Sequence, residues 1–284
     1  MEKLPGELID HLVPDMASIK LYRLVCKAWL HWSRCRSFGT LRLYNDDAKR
    51  FIDAMKNSLS PISSLIRRVD LVEVSMEPGP GGLYPWLYHI TGLGPYPSLT
   101  YLHLHAVCEA SLYFLSTFIS TLSSLSTVEF VCASPTSARS ILNTLACLPS
   151  SVRSMSIRRV PKKIFAGHLF PSGAQLPGKL HTLHLDNDAD NFFLALLSLP
   201  QIPLFSSVIL CNIWPANDSG TGKYLALVGD MLQNLSLNST DETPLPFRDG
   251  PLAVYHNTSL QHFSITAKPP LFSSRACPIW FLLP

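Results

Sequence analysis

The chain has 284 residues and is poor in charge: Asp, Glu, Lys and Arg make up 15% of it, against 47% hydrophobic residues. The formal net charge of +3 is too small to argue by itself for a nucleic acid or a membrane as partner, and neither is expected. No uninterrupted apolar run reaches the ~18 residues that a membrane-spanning helix needs. Residues Met1 to Val13 lack the basic flank and long apolar stretch of a secretory signal. The seven cysteines (Cys26, Cys35, Cys108, Cys132, Cys147, Cys211 and Cys277) are odd in number and include no C-x-x-C pair. That usage predicts a reduced chain in the cytoplasm, the nucleus or both, rather than a disulfide framework. In such a compartment the glycosylation-type triplets that begin at Asn217, Asn234, Asn238 and Asn257 read as coincidences.

Catalytic signatures are missing as well. The stretch Gly220-Thr221-Gly222-Lys223-Tyr224 lacks the spacing and terminal hydroxyl of a phosphate-binding loop, and reads instead as a turn before a helix. His103 and His105 form an H-x-H pair with no carboxylate or thiol at ligand spacing, so no metal site is expected. With neither a nucleophile–base pair nor a metal cluster, the chain is expected to bind rather than to catalyse, and to need no cofactor. The basic run Arg153, Arg158, Arg159, Lys162, Lys163 reads as a solvated edge, with an acidic partner or nuclear import as alternatives.

A repeat fills most of the chain. The triplet L-x-x-L-x-L, with any apolar residue at each place, occurs nine times: Phe38/Leu41/Leu43, Ile66/Val69/Leu71, Leu99/Leu102/Leu104, Leu125/Val128/Phe130, Val152/Met155/Ile157, Leu180/Leu183/Leu185, Phe205/Val208/Leu210, Leu232/Leu235/Leu237 and Leu260/Phe263/Ile265. Successive copies are 25 to 28 residues apart, with one longer step of 33 that contains Met76-Glu-Pro-Gly-Pro-Gly-Gly82. This period and motif are the signature of leucine-rich repeats. Each L-x-L predicts a short strand with its leucines inward. Helical stripes follow several copies: Phe51/Met55/Leu59, Leu112/Leu115/Ile119/Leu122, Ile141/Leu142/Leu145/Leu148 and Phe192/Phe193/Leu196/Leu197. The fold class expected is α/β: a curved, irregular solenoid over 39–267, with parallel strands on the concave face and helices on the convex face. The asparagine that usually follows the strand is absent, since Val74, Val107, Ala133, Val160, Asp188, Ile213 and Thr240 stand there. The tail over 268–284 holds no repeat and ends on apolar residues, either a makeshift cap or the mark of a truncated chain.

Residues 1–38 follow a different pattern: two or three short helices with more apolar surface than ~40 residues can bury alone, which points to a docking surface. Leu4-Pro5-Gly6-Glu7-Leu8-Ile9, followed by Leu24-Val25-Cys26-Lys27-Ala28-Trp29, resembles an F-box, the adaptor-binding module of SCF-type ubiquitin ligases. The run L-V-C-K-A-W-x-x-x-S-R-C-x-S-F looks like the large fungal F-box families, in which degenerate leucine-rich repeats often follow. The resemblance implies that Leu4, Pro5, Leu8, Ile9, Leu24, Val25, Cys26 and Trp29 dock into or support docking on a Skp-type adaptor of a cullin complex. The connection at Val13-Pro14-Asp15 is shorter than the family's usual one.

Within the repeats, the residues flanking and between the inward leucines point outward and are the candidates for holding a target protein: Tyr101, His103, His105, Glu129, Arg158, His184 and Asp186. The function so implied is the substrate-recognition subunit of a ubiquitin ligase. The alternative is a stand-alone repeat scaffold whose decayed F-box caps the N-terminal end.

Overall fold

The computed structural model describes residues 39–44, 62–72, 96–107, 109–132, 137–212, 219–239 and 257–267. The candidate adaptor-binding residues Leu4 to Trp29, the stripe Phe51/Met55/Leu59 and the tail over 268–284 lie outside them. The chain forms two compact units, Met1–Arg153 and Ser154–Pro284.

In the first unit β1 (Thr40–Tyr44), β2 (Arg68–Val72), β3 (Tyr101–His105) and β4 (Thr127–Val131) pair in parallel and in chain order. The register places equivalent repeat positions side by side: Leu41, Val69, Leu102 and Val128 form one row, and Leu43, Leu71, Leu104 and Phe130 the next. Both rows are buried beyond Leu41. In the second unit β5 (Ser154–Arg158), β6 (Thr182–Asp186), β7 (Ser207–Cys211), β8 (Asn234–Ser239) and β9 (His262–Ala267) pair in the same way. All nine strands therefore start one residue before the middle apolar residue of a triplet, as the alternation requires.

Two local devices recur at several of the strand entries. The first apolar residue of the triplet closes a turn with the residue three places earlier: Leu99 N–H donates to Tyr96 O at 3.2 Å, Leu125 to Leu122 O at 3.0 Å, Val152 to Pro149 O at 3.0 Å and Leu180 to Pro177 O at 3.1 Å. The carbonyl of the residue before a strand, or before that, then accepts two amides of the next repeat. Arg67 O takes Thr100 and Tyr101 N–H, Thr100 O takes Ser126 and Thr127, and Ser206 O takes Gln233 and Asn234. These bonds satisfy backbone that would otherwise be buried without partners.

Helices cover one face of the strands in each unit. In the first unit α1 (Glu109–Ser120) packs on α2 (Ala138–Ala146). The predicted stripe Leu112, Leu115 and Ile119 is buried, and so is Ile141, Leu142 and Leu145. Ser137 caps α2 by accepting from Ser140 N–H. Glu109 links the two helix starts, accepting from Ser137 and Ser140 hydroxyls at 2.8 Å each, and those bonds lower its pKa. In the second unit α3 (Ala189–Leu197) packs on α4 (Gly220–Val228).

The repeat between β5 and β6 departs from the helical expectation. Residues 159–181 form a chain of turns, because Pro161, Pro171 and Pro177 deny the backbone donors a helix needs. Phe165 and Phe170 anchor this segment by packing edge-on against Phe192 of α3, at 5.1 and 6.4 Å between ring centres.

Backbone leaves several strands through the left-handed region. Ala106, Arg159, Asn187 and Asn212, each directly after a strand, have φ of 58°, 54°, 58° and 60°. Asn tolerates that conformation and Ala does not. Ala106→Asn is expected to raise stability by about 0.5–1 kcal/mol, read as a higher urea midpoint with an unchanged slope.

Candidate functional site

The face of each sheet opposite the helices carries the outward residues, and the two units fill it differently. In the first unit the centre is Asp70, 2% exposed on β2. Register brings Arg42 to one side of it and His103 to the other, with Glu129 beyond. Arg68 Nε donates to Asp70 Oδ1 at 2.8 Å and Nη2 to Oδ2 at 3.4 Å, while Arg42 Nη2 lies 3.5 Å from Oδ2. The hydrogen bond from Arg68 to Asp70 raises the guanidinium pKa above its ordinary value. Arg68 also stacks over the Tyr101 ring at 4.2 Å, a cation–π contact. Tyr101 in turn donates its hydroxyl to Glu129. Burial, helped by that carboxylate, pushes the Tyr101 hydroxyl up to about 12.

His103 stands inside this network. Its Nδ1 is 3.6 Å from Asp70 Oδ1, neither ring nitrogen is hydrogen-bonded, and the His105 ring lies 6.0 Å away. Of the residues expected to hold a target, Tyr101, His103, His105 and Glu129 are thus brought together. Arg42, Arg68 and Asp70 belong with them. The offset that selected Tyr101 and His103 selects these three when it is applied to the first two triplets. Its charges balance, two cations against two carboxylates, so this face offers directional polar contacts rather than a field of one sign.

In the second unit the outward rows are rich in hydroxyls: Ser154, Ser156, Thr182, Ser207, Ser236 and Ser264. His184 Nε2 lies 3.3 Å from Cys211 Sγ, and Asn238 Nδ2 reaches the same sulfur at 3.9 Å. Burial, ahead of the Asn238 hydrogen bond and nearby charges, raises the Cys211 thiol above its ordinary value. A thiol so shifted is a poor nucleophile near neutral pH. Asp186 is turned to its neighbours, accepting from Arg159 N–H at 3.1 Å and Asn212 Nδ2 at 3.2 Å. Arg158 ends β5 exposed. Arg158, His184 and Asp186 therefore share the outward side of the second unit, while the first four candidates belong to the first unit.

The chain matches no family model, and no curated protein is significantly similar to it. The geometry has to speak for itself. Among the described residues no group of three metal-ligating side chains converges. A cavity of ≈ 10 Å³ between Leu104, Leu112, Phe130, Cys132 and Ile141 is at the lower limit for a single water. Among the described residues no helix is long and apolar enough to cross a membrane.

The Gly220-Thr221-Gly222-Lys223 stretch is not a turn before a helix but the first turn of α4 itself. Ser219 Oγ caps it by accepting from Gly222 N–H at 3.0 Å. Asp190 of α3 fills the remaining space, its Oδ1 accepting from Thr221 N–H at 3.1 Å and from the Thr221 hydroxyl at 2.5 Å. A carboxylate already occupies the donors that a phosphate would use.

The missing asparagines also have substitutes. Val107 and Val160 fill their places as buried apolar side chains. Asp188, with φ of 41°, accepts from Phe165 N–H at 2.7 Å in the preceding repeat. Asn187 donates to Val160 O at 3.2 Å, and Asn257, 5% exposed, donates to Leu225 O and Gly229 O at 2.9 Å each. Val74, Ala133, Ile213 and Thr240 lie outside the described residues.

Proposed function

We propose that this protein is the substrate-recognition subunit of an SCF-type ubiquitin ligase. Its N-terminal residues dock on a Skp-type adaptor of a cullin complex, and the outward sheet faces hold a target protein. The observation that carries the reading is the motif pair Leu4-Pro5-x-Glu7-Leu8-Ile9 and Leu24-Val25-Cys26-Lys27-x-Trp29 directly ahead of strand-forming repeats. The polar outward rows with Tyr101, His103, Arg158 and His184 support the target-binding half, because mixed polarity with Tyr and Arg suits a protein interface. The chain does no chemistry in this role and acts by raising effective concentration. The proposed place of action is the cytoplasm or nucleus, with support from Cys132, Cys147 and Cys211, which are all free thiols.

Co-expression with a Skp-type adaptor tests this. Capture by the wild-type chain, abolished in a Leu8→Asp/Trp29→Ala variant, is the expected result. A soluble, folded chain that captures no adaptor overturns the reading. It would leave the stand-alone repeat scaffold, which the short Val13–Asp15 connection favours.

A further inference from the structure

From Ser154 to Leu185 the chain carries Arg158, Arg159, Lys162, Lys163 and Lys179 and not one Asp or Glu. Four of these cations fall within the six positions 158–163, and all four are exposed. The next acidic residues in sequence, Asp186 and Asp188, make no ion pair with Arg159, Lys162 or Lys163. Asp186 accepts from Arg159 N–H, and Asp188 from Phe165 N–H and Asn191 Nδ2. Both carboxylates fix backbone and hold neighbouring amides. Among the described residues Arg159, Lys162 and Lys163 make no ion pair.

The turn that carries these cations is held firmly. Arg159 N–H is tied to Asp186, Val160 O to Asn187, and Phe165 is fully buried against Phe192. Left-handed backbone at Arg159 and Lys163, with φ of 54° and 63°, bends the chain tightly between the anchors. A pre-ordered group of like charges loses little backbone entropy on binding an opposite charge. Phe165 and Phe170 of this segment are buried, so neither ring is open to stack on a base. Along β5 and β6 the outward side chains Ser154, Ser156 and Thr182, beside Arg158, His184 and Asp186, suit the backbone of an extended chain.

We propose that the turn at 158–163 is the anchor for an acidic segment of a protein partner, a run of Asp and Glu side chains lying beside the ends of β5 and β6. The proposal rests on the target-binding half of the function above and names the chemistry of that target.

The test is fluorescence anisotropy with the full chain and three labelled probes: oligo-glutamate, oligo-glutamine of equal length, and a single-stranded oligonucleotide of equal charge. Oligo-glutamate is expected to bind saturably, to weaken as salt is raised, and to bind better than either control. The variant Arg159→Asn/Lys162→Gln/Lys163→Asn removes three charges while Asn keeps the left-handed turns comfortable. It is expected to lose about tenfold in affinity, whereas Lys223→Gln on α4 changes nothing. Equal binding of oligo-glutamate and oligo-glutamine, an unaffected triple variant, or tighter binding of the oligonucleotide overturns the proposal; the last result makes the turn a nucleic-acid site. Adaptor capture by the same triple variant separates the two readings. Capture retained with oligo-glutamate binding absent from the wild type sinks the acidic partner alone. Capture absent with oligo-glutamate binding intact sinks the adaptor role alone.

Discussion

Gly220→Ala is expected to destabilise the second unit by about 3 kcal/mol, the upper end of what overpacking costs. A Cβ at Gly220 would sit 2.1 Å from the Asp190 carbonyl oxygen and 2.9 Å from Leu194 Cγ. The leucine can rotate; the carbonyl belongs to the backbone of α3 and cannot move without shifting the helix. Separation of α3 from α4 would also strain the Thr221–Asp190 pair, which spans the same contact. Lys223→Ala, three residues along and exposed, is expected to stay within about 0.5 kcal/mol of the wild type. Urea denaturation of the full chain, followed by circular dichroism, reads both. Equal stability of Gly220→Ala and the wild type would show that the two helices are not packed as closely as described.

Tyr224→Ala is expected to cost about 4 kcal/mol, in the range for deleting a large aromatic from a core. Tyr224 is fully buried, stacks on Phe193 at 4.5 Å between ring centres, and touches Phe205. Its hydroxyl donates to Pro203 O at 2.5 Å and accepts from Phe205 N–H at 3.2 Å. Tyr224→Phe keeps the stack but orphans both backbone groups, so about 1–3 kcal/mol is expected from that change alone. The ordering Ala far below Phe, and Phe below wild type, separates packing from hydrogen bonding.

The same residue predicts an alkaline response. Burial, the largest cause, raises the Tyr224 hydroxyl well above its ordinary 10.0, and burial raises Tyr96 to about 12. Because the folded state holds these pKa values above those of the unfolded chain, the associated stability is fully present below pH 10.0 and is lost as pH rises through the folded values. The melting temperature should therefore fall above pH 10.0, less steeply in Tyr224→Phe. A melting temperature independent of pH in that range in both proteins would contradict the burial of these rings.

Much of the architecture is local and could be read directly. A strand needs only alternation, and the nine L-x-L pairs supply it, so strand positions, inward rows and outward candidates all follow from the period. The helices over Leu112 to Ile119, Ile141 to Leu145 and Phe192 to Leu196 follow from their own stripes. The turns between β5 and β6, where no helical stripe stands in the sequence, have their cause in Pro161, Pro171 and Pro177. Less legible was α4, whose opening Gly220-Thr221-Gly222 reads as a turn. Glycine is a poor helix former, and here it is present because α3 leaves no room for a side chain.

What the sequence by itself determined is the repeat and the direction in which each strand's side chains point. What only the tertiary structure decided is which side chains meet. Asp70 became the hub of Arg42, Arg68 and His103, Asp188 took over the work of a missing asparagine, and Asp186 holds the backbone amide of Arg159. The reason is distance along the chain. The bonds that tie neighbouring repeats join residues 23 to 34 positions apart. A period names the row on which a residue stands, whereas its partner depends on what the adjoining repeat happens to present at the same height, and a degenerate repeat presents something different each time.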